Sequence, residues 1–328
     1  ASDVYKRQIF SVSTRVHRKP VLAIDRRSPF SDAKCFHMPF RTLLFSPGNH
    51  PRKVAKVFDA GADAVIIDLE DAVAIAEKPA TRAAVVEAMR ARTEPRKPLC
   101  YVRINALSTP FAYGDVQALV GPWLDGIVLP KLESKEELFA ADWLIAQCER
   151  EAGLPEGAID LLPIIETAKG EQAMMAIATA GSRVKRLSFG AGDYTLDLGR
   201  QWSLGEEELL PMRHSLVSVS RAAGLEPPID TVFIHLNEAG AYTKSCRTAQ
   251  ALGFQGKLCI HPGQIDATNT TFTPSDAEIA YARKIVAAFD AAEAAGSASI
   301  QVEGYFVDYP IVEKARRTLA LAEAAGAV

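Results

Sequence analysis

Short runs of apolar and β-branched residues alternate along the chain with longer stretches in which apolar residues recur every three or four positions. The short runs predict strands and the longer stretches predict amphipathic helices. Eight runs are recognisable, at residues 41–46, 64–69, 99–104, 126–130, 161–165, 186–189, 231–234 and 257–260. Helices are expected at residues 51–60, 81–92, 135–151, 170–180, 206–223 and 238–252. This alternation is typical of parallel strands joined by helical crossovers.

The number of strand–helix repeats separates two architectures. Eight repeats between residues 41 and 260 predict a closed (β/α)8 TIM barrel. A doubly wound open sheet would carry a glycine-rich phosphate turn after its first strand, and Ser46-Pro47-Gly48-Asn49 lacks that motif. Two further helices, at residues 274–295 and 310–325, exceed what a barrel needs. We therefore expect a TIM barrel with a C-terminal helical extension.

The length of 328 residues suits one large core with terminal additions. We expect an N-terminal extension over residues 1–39 that is disordered or non-native, and a catalytic barrel domain over residues 40–273. Residues 274–328 are expected to form the helical extension and to pack on an adjacent subunit. The first 39 residues combine arginine with serine but lack an apolar secretory core, which argues against a signal peptide.

Charge and cysteine content narrow the range of partners. Lysine and arginine total 37 against 40 aspartates and glutamates, so neither a nucleic-acid surface nor a membrane surface is expected. No segment has the run of about 18 apolar residues that a membrane span needs. The five cysteines are scattered and never form a C-x-x-C pair, which argues against disulfides and a thiolate zinc site. These features predict a cytoplasmic protein that acts on a small molecule.

Polar side chains follow most of the predicted strands, at the end of a barrel where TIM-barrel sites are found. Glu166 follows the fifth strand and Asp193 follows the sixth, so their carboxylates are expected to converge. Two carboxylates that leave positions for water and substrate oxygens suit Mg²⁺. Each carboxylate alone could equally cap a helix or pair with a lysine. Their occurrence after successive strands favours a metal site.

Arg103 lies in an alternating strand and is expected to point into the barrel mouth. There it could bind a substrate carboxylate through two hydrogen bonds or stabilise an enolate oxygen. Alternatively, it could form a salt bridge to Asp68 or Glu70. The acidic motif Asp68-Leu69-Glu70-Asp71 needs a cation, bound water or a capping role to offset its own repulsion. We expect this motif to support the reacting residues, and we count Glu70 among the catalytic group.

Three more polar residues follow strands: Lys131, His235 and His261. A lone lysine or histidine at a strand end is more often structural than catalytic, so these positions alone predict little.

Seven motifs occur in an order that is characteristic of one family. They are Arg41-Thr42-Leu43-Leu44-Phe45-Ser46-Pro47-Gly48, Asp68-Leu69-Glu70-Asp71-Ala72-Val73, Val102-Arg103-Ile104-Asn105, Leu129-Pro130-Lys131, Ile165-Glu166-Thr167, Gly190-Ala191-Gly192-Asp193 and Ile260-His261-Pro262. From about residue 40 to the C-terminus the chain resembles the citrate lyase β-subunit-like enzymes of the HpcH/HpaI aldolase family, which include malyl-CoA and citramalyl-CoA lyases.

The resemblance implies a trimeric (β/α)8 barrel that uses Mg²⁺ to cleave a carbon–carbon bond in a short 3-hydroxyacyl-CoA thioester. The expected products are acetyl-CoA and a keto acid, from a citramalyl-CoA, malyl-CoA or citryl-CoA type of substrate. Glu166 and Asp193 match the family's Mg²⁺ ligands, and Arg103 matches the arginine that contacts the keto-acid portion. A thioesterase, or a citrate lyase β subunit that acts on an acyl-carrier-protein thioester, remains the alternative.

The resemblance also assigns the thioester pocket and a residue from a second subunit. Phe45, Lys56, Ile260 and His261 match positions that bind the CoA portion in malyl-CoA lyases. Asp308 matches an aspartate that an adjacent subunit delivers for acid/base catalysis.

Overall fold

Eight parallel strands close into a barrel in the computed structural model, which describes residues 40–92 and 98–327. The strands are β1 (Thr42–Pro47), β2 (Ala64–Asp68), β3 (Leu99–Arg103), β4 (Gly126–Leu129), β5 (Asp160–Ile165), β6 (Ser188–Phe189), β7 (Ile229–Asp230) and β8 (Gly256–Cys259). Each strand pairs with its successor, and β1 also pairs with β8, which closes the sheet. The predicted TIM barrel is confirmed, and the predicted extension over residues 1–39 lies outside the described residues.

Helices surround the barrel and follow the strands in the predicted order. They are α1 (Pro51–Val57), α2 (Lys78–Arg90), α3 (Ala112–Leu119), α4 (Lys135–Glu151), α5 (Ala168–Ala178), α6 (Ala191–Asp197), α7 (Leu210–Ala222), α8 (Ala239–Leu252) and α9 (Ile265–Phe272). The start of α4 is fixed locally, because the Ser134 side chain accepts a hydrogen bond from the Glu137 N–H. None of the described helices is long and apolar enough to cross a membrane.

The strand residues divide between two cores because successive side chains point to opposite faces. Leu43, Ile66, Tyr101 and Leu162 belong to a cluster that fills the barrel interior. Their neighbours in sequence, such as Leu44, pack instead between the barrel and the helices. A residue two positions beyond an inward one, at the strand end, therefore points into the mouth of the barrel.

The seventh strand does not lie where the sequence indicated. Residues 231–234 were expected to form it, but the strand is Ile229–Asp230. Asp230 is fully buried and its carboxylate contacts Lys257 Nζ at 2.5 Å and Arg213 Nε at 2.9 Å. In a sequence, a charged residue is typical of a loop, and the buried partners that neutralise Asp230 cannot be recognised. The prediction therefore placed the strand on the apolar residues after Asp230, and the predicted end lies four residues beyond the observed one.

The C-terminal extension comprises α10 (Asp276–Ala294), a two-stranded antiparallel hairpin and α11 (Tyr309–Ala324). The hairpin strands, β9 (Ile300–Val302) and β10 (Tyr305–Val307), were not predicted. These elements share a small core of their own, which includes Phe289, Val307 and Val312. A capping box, in which Ser275 and Glu278 bond each other's backbone N–H groups, starts α10.

Candidate active site

A cavity of about 460 Å³ opens at the carboxyl end of the barrel strands. Arg103, Glu166 and Asp193 line the polar side of this cavity. Ile164 and Leu258, which point into the barrel from further along their strands towards its interior, line the apolar side. The combination of an apolar floor with a few convergent charged groups is typical of a small-molecule site.

Five carboxylates meet beside this cavity, and we refer to them as the acidic cluster: Asp68, Glu70, Asp71, Glu166 and Asp193. They come from the ends of β2, β5 and β6, so the barrel geometry brings together residues that are far apart in sequence. Asp68, Glu70 and Glu166 are buried, which strengthens the repulsion among them. The cluster therefore depends on cations.

Arg103 supplies one of these cations from the end of β3. Its Nε and Nη2 contact the two Asp68 oxygens at 2.7 and 2.6 Å, and its Nη1 lies 2.9 Å from Glu70 Oε2. The guanidinium also lies over the Phe45 ring, with 5.1 Å between its carbon and the ring centroid. The salt bridge that the sequence left open is therefore present. Because Arg103 also lines the cavity, this bridge fixes its orientation there.

Lys131 supplies the second cation, although a lone lysine after a strand did not predict this contact. Its ammonium lies 2.6 Å from Glu70 Oε1 and 3.3 Å from Asp193 Oδ2. The backbone N–H of Lys131 donates a hydrogen bond to Glu166 Oε1 at 2.7 Å. Burial acts to lower the pKa of Lys131, but its contacts with Glu70 and the neighbouring carboxylates outweigh burial and raise the pKa. The residue stays charged inside the acidic cluster.

Glu166 is held in one orientation by its surroundings. Besides the bond from Lys131, its carboxylate packs against Gly190, where an added Cβ would lie 2.1 Å from Oε2. Burial, and then the charge of Glu70, raise the pKa of Glu166 to about 8. A buried carboxylate with so high a pKa is poorly compensated by the protein itself, which makes it a suitable ligand for an added cation.

The donor set fits a magnesium ion better than a metal enclosed by protein ligands. Glu166 and Asp193 both line the cavity, and Asp193 is partly exposed to it. In residues 40–92 and 98–327 no three Asp, Glu, His or Cys side chains are arranged to hold a metal ion. Mg²⁺ needs no such group, because it keeps several waters and commonly takes only one or two carboxylates.

Lys78 is a further residue that the sequence did not single out. It is buried on α2, and its ammonium donates to the backbone carbonyls of Leu69 at 3.0 Å and Glu70 at 2.6 Å. These bonds fix the turn after β2 and so orient Glu70 towards its cations. Nothing in the local sequence distinguishes this lysine from an exposed helix residue.

The residues predicted to bind the thioester lie in different settings. Phe45 and Ile260 line the cavity. His261 is exposed, and its Nδ1 accepts a hydrogen bond from the Gly263 N–H. Lys56 is exposed on α1 and lies outside the cavity lining.

Asp308 lies at the N-cap position of α11, but its side chain makes no capping hydrogen bond. It does not line the cavity of its own chain. The structure therefore brings Arg103, Glu166, Asp193 and Glu70 together and leaves Asp308 apart from them.

A closed barrel whose carboxyl end gathers an arginine and several carboxylates at a small-molecule cavity is the arrangement of a TIM-barrel enzyme. Residues 41–262 match the HpcH/HpaI aldolase/citrate lyase family, and the chain belongs to it. The predicted resemblance and the predicted class, a carbon–carbon lyase, are thereby confirmed.

Named relatives support this assignment over most of the chain. The citrate lyase subunit beta of Leuconostoc mesenteroides subsp. cremoris is 37% identical over 284 residues, which covers 87% of this chain and 93% of the relative. The L-malyl-CoA/beta-methylmalyl-CoA lyase of Cereibacter sphaeroides is 33% identical over 305 residues, which covers 87% and 95%. The solved structure of CitE from Mycobacterium tuberculosis in complex with magnesium, acetoacetate and coenzyme A superposes with a TM-score of 0.70 at 30% identity, covering 87% of this chain and 98% of that one.

Proposed function

We propose that the protein is a Mg²⁺-dependent lyase that cleaves a short 3-hydroxyacyl-CoA thioester, of the citramalyl-CoA, malyl-CoA or citryl-CoA type, to acetyl-CoA and a keto acid. The observation that carries the proposal is the convergence of Glu166, Asp193 and Arg103 on one cavity. The relatives named as thioester lyases, and the CitE structure that contains magnesium and coenzyme A, support the same chemistry.

Glu166 and Asp193 would hold the cation. When bound, Mg²⁺ stabilises negative charge on substrate oxygens as it develops. The chain fixes Glu166 for this task through the Lys131 N–H and the absence of a side chain at Gly190.

Arg103 would bind the carboxylate of the hydroxy acid or the oxygen of the departing enolate. Its Asp68 partner holds the guanidinium plane by two bonds, so little conformational entropy is lost when substrate arrives. A preorganised cation in a partly dry cavity stabilises a developing oxyanion more than a mobile one in water does.

Cleavage requires one proton to leave the substrate hydroxyl and one to reach the terminal carbon of the enolate. The carbon–carbon bond breaks as the hydroxyl becomes a carbonyl, and its electron pair passes to the acetyl thioester. We assign both proton transfers to Asp308 of an adjacent subunit in a homotrimer, whose carboxylate would accept the hydroxyl proton and then return a proton to the enolate carbon. Asp308 lies outside the cavity of its own chain, and its carboxylate has no capping role. Glu70 would support Arg103 during this step.

The CoA portion would contact Phe45, Lys56, Ile260 and His261. Ile260 extends the apolar lining outward, and Lys56 is an exposed cation suited to a phosphate. We also propose a cytoplasmic location, which is consistent with the four unpaired, buried cysteines in the part of the chain that the structure describes.

The direct test incubates purified protein and Mg²⁺ with malyl-CoA, citramalyl-CoA and citryl-CoA in separate reactions. Mass spectrometry then follows acetyl-CoA, keto acid and free CoA. Glu166→Gln should abolish turnover, while Glu156→Gln, at an exposed ion pair with Arg150, is the matched control and should not. Free CoA together with an intact hydroxy acid would show a thioesterase instead, and no reaction with any CoA substrate would favour an acyl-carrier-protein thioester.

Subunit mixing tests the assignment of Asp308. Asp308→Asn and Glu166→Gln should each be inactive as pure proteins. If one site combines residues of two subunits, mixed trimers contain some sites with both native residues, and activity should return on mixing. Native mass spectrometry confirms that mixed oligomers have formed. Absence of activity in such oligomers would contradict the shared site.

A further inference from the structure

The acidic cluster contains more negative than positive charge. Among the residues that the structure describes, two cations, Arg103 and Lys131, pair with its five carboxylates. Arg103 is committed to Asp68 by two bonds. Glu70 Oε1 and Asp193 therefore rely on Lys131, whose ammonium lies 2.6 and 3.3 Å from them. Asp71 lies 3.6 Å from both Lys131 and Arg103. Lys131 occupies the region between the acidic turn after β2 and the candidate metal ligand on α6.

The backbone of Lys131 is adapted to this position. Its φ of 50° lies in the left-handed region, which side chains other than glycine, asparagine and aspartate rarely adopt. In this conformation the N–H points to Glu166 while the ammonium reaches Glu70 and Asp193. A strained backbone of this kind persists when several surrounding contacts determine it, and such residues are concentrated at functional sites.

We propose that Lys131 is a resident cation of the acidic cluster, which holds Glu70 and Asp193 in place before the metal binds and sets a limit on how tightly the metal can bind. The inference rests on the proposed function, because it takes Glu166 and Asp193 as the metal ligands. It assigns Lys131 a positioning role, distinct from the groups that touch the substrate.

Removal of the ammonium should strengthen metal binding and, at the same time, lower the stability of the metal-free protein. A positive charge 3.3 Å from a ligand oxygen repels a divalent cation at the same oxygen, so its removal should tighten metal binding. The same removal leaves the cluster with one cation, so the metal-free protein should become less stable. A lysine with only a structural role would lower stability without tightening metal binding.

The experiment measures the Mg²⁺ dissociation constant by isothermal titration calorimetry, and the Mn²⁺ dissociation constant by electron paramagnetic resonance. Lys131→Met removes the charge at similar length, and Lys131→Asn removes it with a residue that tolerates the left-handed backbone. Lys131→Arg keeps the charge. Lys169→Met is the matched control, since it breaks a 2.8 Å ion pair to Glu133 at an exposed position.

We expect both neutral variants to bind Mg²⁺ at least about tenfold more tightly than the wild type, equivalent to about 1.4 kcal/mol. In EDTA the melting temperatures of both neutral variants should fall below that of Lys169→Met. Addition of Mg²⁺ should raise the melting temperatures of the neutral variants by more than it raises that of the wild type. Lys131→Arg should return the affinity towards the wild-type value.

Unchanged or weaker binding in a folded Lys131→Asn protein would overturn the inference while leaving the proposed function intact, provided that the wild type binds Mg²⁺. If the wild type binds neither Mg²⁺ nor Mn²⁺, the proposed metal site is wrong and the inference fails with it.

Discussion

Gly190→Ala is the most selective perturbation of the site, because the added methyl group would meet one particular atom. Gly190 has φ −108° and ψ 102°, a backbone conformation that alanine adopts without strain. The new Cβ would nevertheless lie 2.1 Å from Glu166 Oε2, where real contacts are essentially never closer than 3.0 Å. The Glu166 carboxylate would have to move by about 1 Å.

The size of the effect follows from that displacement. Overpacking of this kind typically costs about 1–3 kcal/mol of folding stability, which a barrel of this size tolerates. A displacement of about 1 Å of a group that positions the reaction can cost roughly a hundredfold in rate. We therefore expect kcat/KM to fall about a hundredfold and Mg²⁺ binding to weaken, in a protein that remains folded.

Gly192→Ala is the matched control, two residues further along the same segment. Its Cβ would meet nothing closer than Trp202 Cζ3 at 3.8 Å, which is an ordinary contact. Calorimetric Mg²⁺ titration, steady-state turnover and urea unfolding should separate the two variants, with Gly192→Ala close to the wild type. If Gly190→Ala keeps its Mg²⁺ affinity and turnover within threefold of the control, Glu166 does not act from the position seen here.

Three further predictions concern the rest of the molecule. Asp230→Asn leaves Lys257 charged and buried, so it should lower the free energy of unfolding by about 3–5 kcal/mol in urea titrations. Burial acts to raise the pKa of Asp230, but neighbouring cations, Lys257 foremost, lower it. This carboxylate therefore stabilises the fold fully above its unfolded pKa of about 3.9 and less as the pH falls below it, so melting scans should show a shallower acid dependence in the variant. Arg103→Lys loses the two-bond contact with Asp68 and should reduce turnover roughly 10- to 100-fold without unfolding. Phe289→Ala should destabilise the extension by about 3–5 kcal/mol, detectable as selective proteolysis.

The barrel was predictable because its signals are long and repeated. Eight alternations of strand and helix survive errors of one or two residues at each boundary, and α4 was placed at its observed limits. The hairpin of β9 and β10 was missed because each strand has three residues, too few for a period of two to be recognised. The shift of β7 arose from Asp230, whose burial depends on partners remote in sequence.

The site was only partly predictable, for a related reason. Barrel topology says that residues after successive strands converge, which was enough to select Glu166, Asp193 and Arg103. Topology does not determine which charges pair, so the Arg103 bridge to Asp68 or Glu70 was only an alternative in the sequence analysis, and the contacts of Lys131 with Glu70 and Asp193 were not predicted. These contacts depend on side-chain conformations and on one unusual backbone angle.

The extension's separate core predicts that it can unfold without the barrel. Because Phe289 and Val312 belong to this core and not to the barrel interior, we expect the extension to open while the barrel stays closed. Amide hydrogens in α10 and α11 should then exchange faster than those in β2 and β3. Asp308 lies at the start of α11, so each such opening would also displace this carboxylate.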